Sequence, residues 1–96
     1  MFIFHARNTH VPVHKHVDRS EIIIILEGRC KLSIFDNRGR VRKKFDLGAL
    51  NSGRPYSCHI PKNVFHNIEI LSKNITFFEA TTGPFVKKGT QYLNRN

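Results

Sequence analysis

The chain is short and strongly basic. Its 96 residues include 16 Lys and Arg against 7 Asp and Glu, which gives a formal net charge of +9. A chain of this length buries roughly two thirds of its unfolded surface, which suits one core, so we expect one domain over residues 1–96. The apolar run from Ile22 to Leu26 is much shorter than the roughly 20 residues of a membrane helix, and Met1 to Phe4 lacks a basic leader. The sequence therefore predicts a soluble, cytoplasmic protein with no membrane partner.

Seven short segments are predicted to be strands, because they are rich in β-branched and aromatic residues and are separated by turn residues. In chain order they are Val11–His16, Glu21–Leu26, Lys31–Phe35, Val41–Leu47, Ser57–Ile60, Phe65–Leu71 and Ile75–Glu79. The clearest hairpin signal is Asp36-Asn37-Arg38-Gly39, since Asn and Gly adopt the backbone conformations that a tight connection needs. No segment has a convincing helical pattern. Strands at this spacing predict an all-β sandwich or barrel.

The second predicted strand, Glu21–Leu26, is apolar on both faces. Alternation places Ile23 and Ile25 on the same face as Glu21, and puts Ile22, Ile24 and Leu26 on the opposite face. A strand that is apolar on both sides must be covered on both sides, and one small barrel has too little material to do so. The sequence therefore predicts a homodimer.

Three histidines and one glutamate form the most informative pattern in the chain. His14 and His16 are two residues apart, so in a strand their imidazoles share a face about 6.6 Å apart along the chain. Glu21 begins the next strand and can fold back beside them, and His66 can complete the set from a later strand. Three neutral imidazoles with one carboxylate suit one divalent ion of Fe, Mn, Ni, Co, Cu or Zn, with positions left for water or substrate. The identity of the ion stays open.

The same residues resemble the two signatures of the cupin superfamily. The run H-x-H-x4-E-x6-G from His14 to Gly28 agrees with the first signature in every interval, and the segment from Pro61 to His66 is similar to the second. Within the superfamily, the stretch from Arg7 to Phe85 resembles the WbuC-type metalloproteins that are linked to bacterial surface-polysaccharide clusters. Three positions depart from the signatures: Asn8 and Asn63 stand where glycine is usual, and Ile70 replaces a trailing asparagine. Asn tolerates positive φ, so Asn8 and Asn63 can still occupy turns.

The resemblance implies a single cupin domain, a jelly-roll antiparallel β-barrel, with the metal held by His14, His16, Glu21 and His66. It also implies a small polar or anionic metabolite as the ligand, and a sugar derivative is one candidate. Isomerase-like or epimerase-like chemistry on such a metabolite is one interpretation, and a non-catalytic module that binds or senses a ligand is the alternative. Whether the protein is an enzyme stays open at this point.

Glu79 is the candidate acid or base for the catalytic interpretation. It shares strand parity with Ile75 and Phe77 and can therefore point into the barrel, although a surface charge at a strand end is an equal alternative. Single histidines in strands are more often hydrogen-bonded core or surface residues, and we interpret His5, His10 and His59 in that way. Cys30 and Cys58 are expected to be free thiols rather than a disulfide.

The basic residues are densest on the hairpin from Arg38 to Lys44. The simplest interpretation is a solvated edge strand whose charges discourage strand pairing between molecules. A surface that faces nucleic acid or a phosphorylated small molecule is the alternative. Aromatic residues are not interleaved with these charges and no nucleic-acid-binding motif is present, so we expect no nucleic-acid partner.

Overall fold

Nine strands make up most of the part of the chain that the computed structural model describes, residues 1–82 and 89–93. They are β1 Phe2–Ala6, β2 His14–His16, β3 Glu21–Glu27, β4 Arg29–Phe35, β5 Val41–Gly48, β6 Ser57–Ile60, β7 Phe65–Ile70, β8 Asn74–Thr81 and β9 Thr90–Tyr92. The all-β prediction is confirmed. Within these two ranges the structure has no helix long and apolar enough to cross a membrane.

The strands form two antiparallel sheets packed face to face. One has the order β1-β8-β3-β6, and the other has the order β5-β4-β7-β2-β9. The first sheet carries Glu21 at the start of β3, and the second carries His14 and His16 on β2 beside His66 on β7. The predicted site residues therefore come from both sheets and meet in the space between them.

The core fills the rest of that space. Alternate residues of β3, Ile23 and Ile25, are buried, whereas Ile22 and Leu26 are exposed, as the predicted alternation of this strand requires. The fully buried side chains from both sheets are Ile23, Ile25, Cys30, Leu32, Leu47, Ile60 and Ile75. The site thus lies at one end of a closely packed apolar core, which restricts the movement of its side chains.

The strand bounds differ from the predictions at the N-terminal side of the site. The predicted strand Val11–His16 is only three residues long, because Pro12 has no backbone N–H to contribute to a ladder. Strand β1 was not predicted, although it pairs with β8 from Phe2↔Phe78 to Ala6↔Asn74. Strand β9 was not predicted either, because its three residues are polar or aromatic and show no alternation of apolar with polar side chains. Gly83, Pro84 and Phe85, which belong to the cupin resemblance, lie outside the described residues.

Two turns take the conformations expected from their sequences. Asn63 has φ +65°, so it does serve as a left-handed turn residue where the cupin signature has glycine. The β4–β5 hairpin closes through a hydrogen bond from the Gly39 N–H to the Asp36 carbonyl, and Gly39 has φ +83°. Strand β5, which carries most of the basic hairpin, lies at a sheet edge, as the simplest interpretation of its charges requires.

The outer face of the β1-β8-β3-β6 sheet is largely apolar. Its exposed large side chains are Phe2, Phe4, Ile22 and Leu26, and Phe2 is 72% exposed. Such a face on an isolated chain is the common signature of a protein contact surface. It supports the homodimer prediction, which stays a prediction.

We expect sedimentation equilibrium at micromolar concentration to give twice the mass of the chain. Ile24 lies in the middle of this face, so Ile24→Lys would place a charge within the buried contact and should yield a monomer. Val41→Lys changes an equally apolar but exposed residue on β5 and should leave the mass unchanged. A monomeric parent protein would contradict the prediction.

Candidate metal centre

Four side chains converge between the two sheets. One ligand atom each from His14, His16, Glu21 and His66 lies within 4.8 Å of the others, and the group could hold a metal ion. Antiparallel pairing places His14 directly opposite His66 across β2 and β7, and their ring centroids are 4.4 Å apart. Glu21 reaches them from the other sheet, with Oε1 2.8 Å from His16 Nε2 and 3.5 Å from His66 Nε2.

Backbone carbonyls fix which ring nitrogen points at the centre. His14 Nδ1 donates to the Pro12 carbonyl at 2.8 Å, and His66 Nδ1 donates to the Val64 carbonyl at 2.9 Å. Because a carbonyl can only accept, the proton of each neutral imidazole is on Nδ1 and the lone pair is on Nε2. His16 Nδ1 is 2.9 Å from the Thr90 hydroxyl, which fixes the third ring in the same orientation. This is the outer hydrogen bonding that usually orients metal-bound histidines.

The Glu21 carboxylate provides the test of whether a metal fits. Its Oε1 is buried and makes no hydrogen bond to any described residue, although nitrogen atoms surround it. In this arrangement the Nε2 lone pairs of His14 and His66 and a carboxylate oxygen face one another, which is unfavourable unless a cation lies among them. Two ligand atoms each about 2.1 Å from an ion and at right angles are about 3.0 Å apart, close to the 2.8 and 3.5 Å seen here. The donor set therefore fits a divalent transition ion.

Glu79 faces the same centre from β8. Burial, together with the hydrogen bond to Glu21 and its negative charge, raises the pKa of Glu79 well above its usual range. Burial also opposes ionisation of Glu21, but the contact with His66 and the hydrogen bond from Glu79 outweigh it and lower the pKa of Glu21. The pair therefore shares one proton, which is held on Glu79, while Glu21 stays an anion.

The cavity in front of these groups is small and mixed in character. It has a volume of about 180 Å³, comparable to about six water molecules at about 30 Å³ each, so it suits one small polar ligand. Besides the four candidate ligands and Glu79, the lining residues are Ile3, His5, Val11, Ile23, Ile68 and Phe77. The lining of the cavity thus contains both polar and apolar groups.

Three of the contributors to the site were not foreseen from the sequence. The carbonyls of Pro12 and Val64 and the hydroxyl of Thr90 orient the imidazoles, but backbone acceptors and a distant strand leave no local sequence signal. His5 lines the cavity, whereas the sequence interpretation made it an ordinary histidine. His10 and His59 lie outside this cavity, and Cys30 and Cys58 are free as expected.

Structural comparison places the fold of this chain within a known architecture. The chain is similar to the TDP-quinovose 3,4-ketoisomerase WlaRB of Campylobacter jejuni, with a TM-score of 0.77 at 17% identity over 98% of this chain and 68% of the ketoisomerase. It is also similar to a mutant of oxalate decarboxylase from Bacillus subtilis, with a TM-score of 0.66 at 23% identity over 85% of this chain and 20% of that protein. These neighbours are cupins, and the two packed antiparallel sheets of this chain are of the jelly-roll type. The chain has a cupin fold.

Other comparisons agree with the cupin fold without identifying the activity. A 3,4-ketoisomerase from Helicobacter canadensis gives a TM-score of 0.69 at 14% identity over 95% of this chain and 66% of that protein. Residues 1–47 match a family model described as a domain of unknown function, DUF6016. No curated protein sequence matches the chain. The chain spans about two thirds of the length of the ketoisomerases and about one fifth of the oxalate decarboxylase.

Burial of the histidines predicts how metal binding depends on pH. Desolvation lowers the pKa of His14 and of His16 below 6.5. The pKa of Glu21 is also lowered, so Glu21 stays ionised at every pH at which these imidazoles titrate. A lowered pKa keeps an imidazole unprotonated to more acidic pH, so protons should compete with metal only below pH 6.5. We expect nearly constant affinity from about pH 8 to pH 6.5 and a steep loss below that, measured by competition with a fluorescent chelator. Affinity that is already lost at pH 6.5 would contradict the lowered pKa values.

Proposed function

We propose that the protein binds one divalent metal ion through His14, His16, Glu21 and His66, and isomerises a small sugar-derived ketone by moving a proton between neighbouring carbons. The observation that carries this proposal is the buried Oε1 of Glu21, unsatisfied among lone pairs, beside a second carboxyl group that holds a proton. Similarity to sugar 3,4-ketoisomerases supports a sugar as the ligand. When bound, the ion would act as a Lewis acid toward the substrate carbonyl.

The chain's own residues account for the proton transfer. The pKa of Glu79 is raised to about 8, so near that pH part of the protein carries Glu79 ionised. This carboxylate removes the proton from the hydroxyl-bearing carbon next to the carbonyl, and that C–H electron pair becomes the C=C bond of an enediolate as the carbonyl π electrons move onto oxygen. The former carbonyl oxygen then takes the proton of the neighbouring substrate hydroxyl. Return of the proton from Glu79 to the former carbonyl carbon, as the charge on the other oxygen forms a C=O bond, leaves the ketone on the neighbouring carbon and Glu79 ionised again. A carboxyl group whose pKa is raised toward neutral pH can serve both steps.

The alternative is a cupin that binds a ligand without turning it over. A cavity whose only polar groups were the metal ligands would favour that function. Here Glu79 and His5 also line the cavity, so polar groups with a possible proton-transfer role converge beside the candidate ligands. This favours catalysis.

The finer assignments are also proposals. The WbuC-type resemblance supports a role in surface-polysaccharide metabolism in the cytoplasm, with the protein acting as a homodimer built from one domain per chain. These assignments rest on the signature residues from His14 to His66 and on the apolar outer sheet face.

The decisive measurement is incorporation of deuterium into free and TDP-linked keto sugars in D2O, followed by NMR with metal-loaded protein. We expect exchange at the carbon next to the carbonyl, and a loss of about 10²- to 10⁴-fold in its rate for Glu79→Gln. Glu69→Gln makes the same substitution at an exposed position of β7 and should leave the rate unchanged. A parent protein that binds such sugars without exchanging the proton would establish the non-catalytic alternative.

A further inference from the structure

A second cavity opens between the sheets on the side of β5 and β6. Its volume is about 330 Å³, nearly twice that of the cavity at the metal centre. Its floor is apolar and includes Ile34, Phe45 and Val64, while Arg42, Lys43 and His59 supply its polar groups. The Val64 carbonyl orients His66, but the metal centre and the proposed proton transfer use none of the other five residues.

A β-bulge brings two cations to this cavity. Strands β4 and β5 pair Ile34 with Lys43 but Phe35 with Val41, so Arg42 is an extra residue on β5. In a regular strand, neighbouring side chains point to opposite faces. The bulge breaks this alternation, and both Arg42 and Lys43 line the cavity.

The charge around this cavity is of one sign. None of the cavity's seven lining residues is an acid, and neither Arg42 nor Lys43 forms an ion pair with a described residue. The acid closest in sequence, Asp46, is already bound to Arg29 at 2.8 Å and Arg54 at 3.3 Å. Two cations and a histidine above an apolar floor are complementary to an anion that carries an apolar or planar group.

The cavity is one strand away from the metal centre. Ile34 on its floor is paired with Lys43 on β5 and with His66 on β7, so the three residues form one row across the sheet. Paired residues in antiparallel strands are about 5 Å apart, which puts the backbone of Lys43 about 10 Å from that of His66. A single small molecule can span that distance.

We propose that this cavity binds the phosphate and the adjoining apolar or planar part of a small organic phosphate. Resting on the proposed function, the inference is that this ligand is the phosphorylated end of the same sugar-derived substrate. A nucleic acid is disfavoured because both cations line one cavity of limited volume, whose apolar lining would receive a single planar group rather than a strand.

The test uses phenyl phosphate as the probe and follows backbone amide shifts by NMR, with EDTA present so that no metal can hold the phosphate. We expect saturable shifts at Ile34, Phe45 and Val64, with at least tenfold tighter binding than for inorganic phosphate or phenol alone. Arg42→Gln and Lys43→Gln should each weaken binding at least fivefold. Lys44→Gln removes the same charge from the neighbouring position, which does not line the cavity, and should change affinity less than twofold.

Three results would overturn the proposal. Equal weakening by Lys44→Gln would show a diffuse charge effect of the basic strand. Shifts confined to residues around His66 would place the phosphate at the metal centre. Tighter binding of an oligonucleotide than of phenyl phosphate, with loss in all three variants, would make β5 a nucleic-acid surface. Because the titration contains no metal and no keto sugar, its outcome is independent of whether the proposed isomerase activity is found.

Discussion

Replacing His66 by alanine is expected to remove the metal from the protein. His66 is 2% exposed and supplies the ligand atom from the second half of the chain, so no solvent-exposed group can take its place. Loss of groups that merely orient metal ligands costs about 10- to 100-fold in affinity, and loss of a ligand should cost at least as much. Purified His66→Ala should therefore contain less than about a tenth of the metal of the parent protein by elemental analysis.

His14→Ala tests the same ligand set at a less buried position and should give the same result. His59→Ala and Cys58→Ser remove potential ligand atoms outside the group and should leave metal content unchanged. Chelation should also lower the free energy of unfolding by about 3 kcal/mol when free metal had been about 100 times its dissociation constant. Parent protein without stoichiometric metal after expression with Mn, Fe, Ni or Zn would contradict the ligand assignment.

Replacing Gly28 by alanine is expected to destabilise the fold severely. Gly28 has φ +96°, and a Cβ there would lie 2.5 Å from the Asn74 carbonyl oxygen and 3.0 Å from Ile75 Cα. Both atoms belong to the backbone of β8, so they cannot rotate away as a side chain could. We expect a loss of about 3 kcal/mol, made up of conformational strain and steric overlap. For a chain of this size that corresponds to a fall of about 12 to 24 °C in Tm.

Gly53 provides the matched control. It has a similar φ of +82°, but a Cβ there would meet no atom within 4 Å. Gly53→Ala should therefore show the conformational strain alone, about 1 kcal/mol. Thermal unfolding followed by circular dichroism compares the two variants. Equal losses would mean that the contact between Gly28 and β8 contributes nothing.

The sequence predicted those features of the structure that depend on residues close together in the chain. The residues from Glu21 to Leu26 alternate in burial because one face of the strand packs on the core and the other faces outward. The prediction that His66 approaches His14 and His16 from a later strand needed only strand geometry and closure of the sheets, although the pairing of His14 with His66 was not itself predicted. The cupin resemblance added the fold, and structural comparison confirms it. These predictions depended on the two-residue alternation of side chains along a strand and on the spacing of the candidate ligands. Both are visible in a single sequence.

Features that depend on the backbone were not predicted. Strand β1 exists because β8 offers it a free edge, and nothing in its own sequence required pairing. The carbonyl of Pro12 orients His14, but every residue has a carbonyl, so no residue type marks it. The bulge at Arg42 likewise depends on the register between β4 and β5, which a single sequence does not specify.

Under the proposed ligand assignment, the order of the ligands along the chain would affect how the protein acquires an ion. His14, His16 and Glu21 lie within one short segment, whereas His66 joins them only when β7 has paired with β2. An unfolded or partly synthesised chain would therefore already carry three of the four proposed ligands and could capture metal weakly before it folds. Such binding to the unfolded state would reduce the stabilisation that the ion gives the folded state. The complete site would then form only when the fold is complete, and His66 would convert a loosely held ion into a tightly held one.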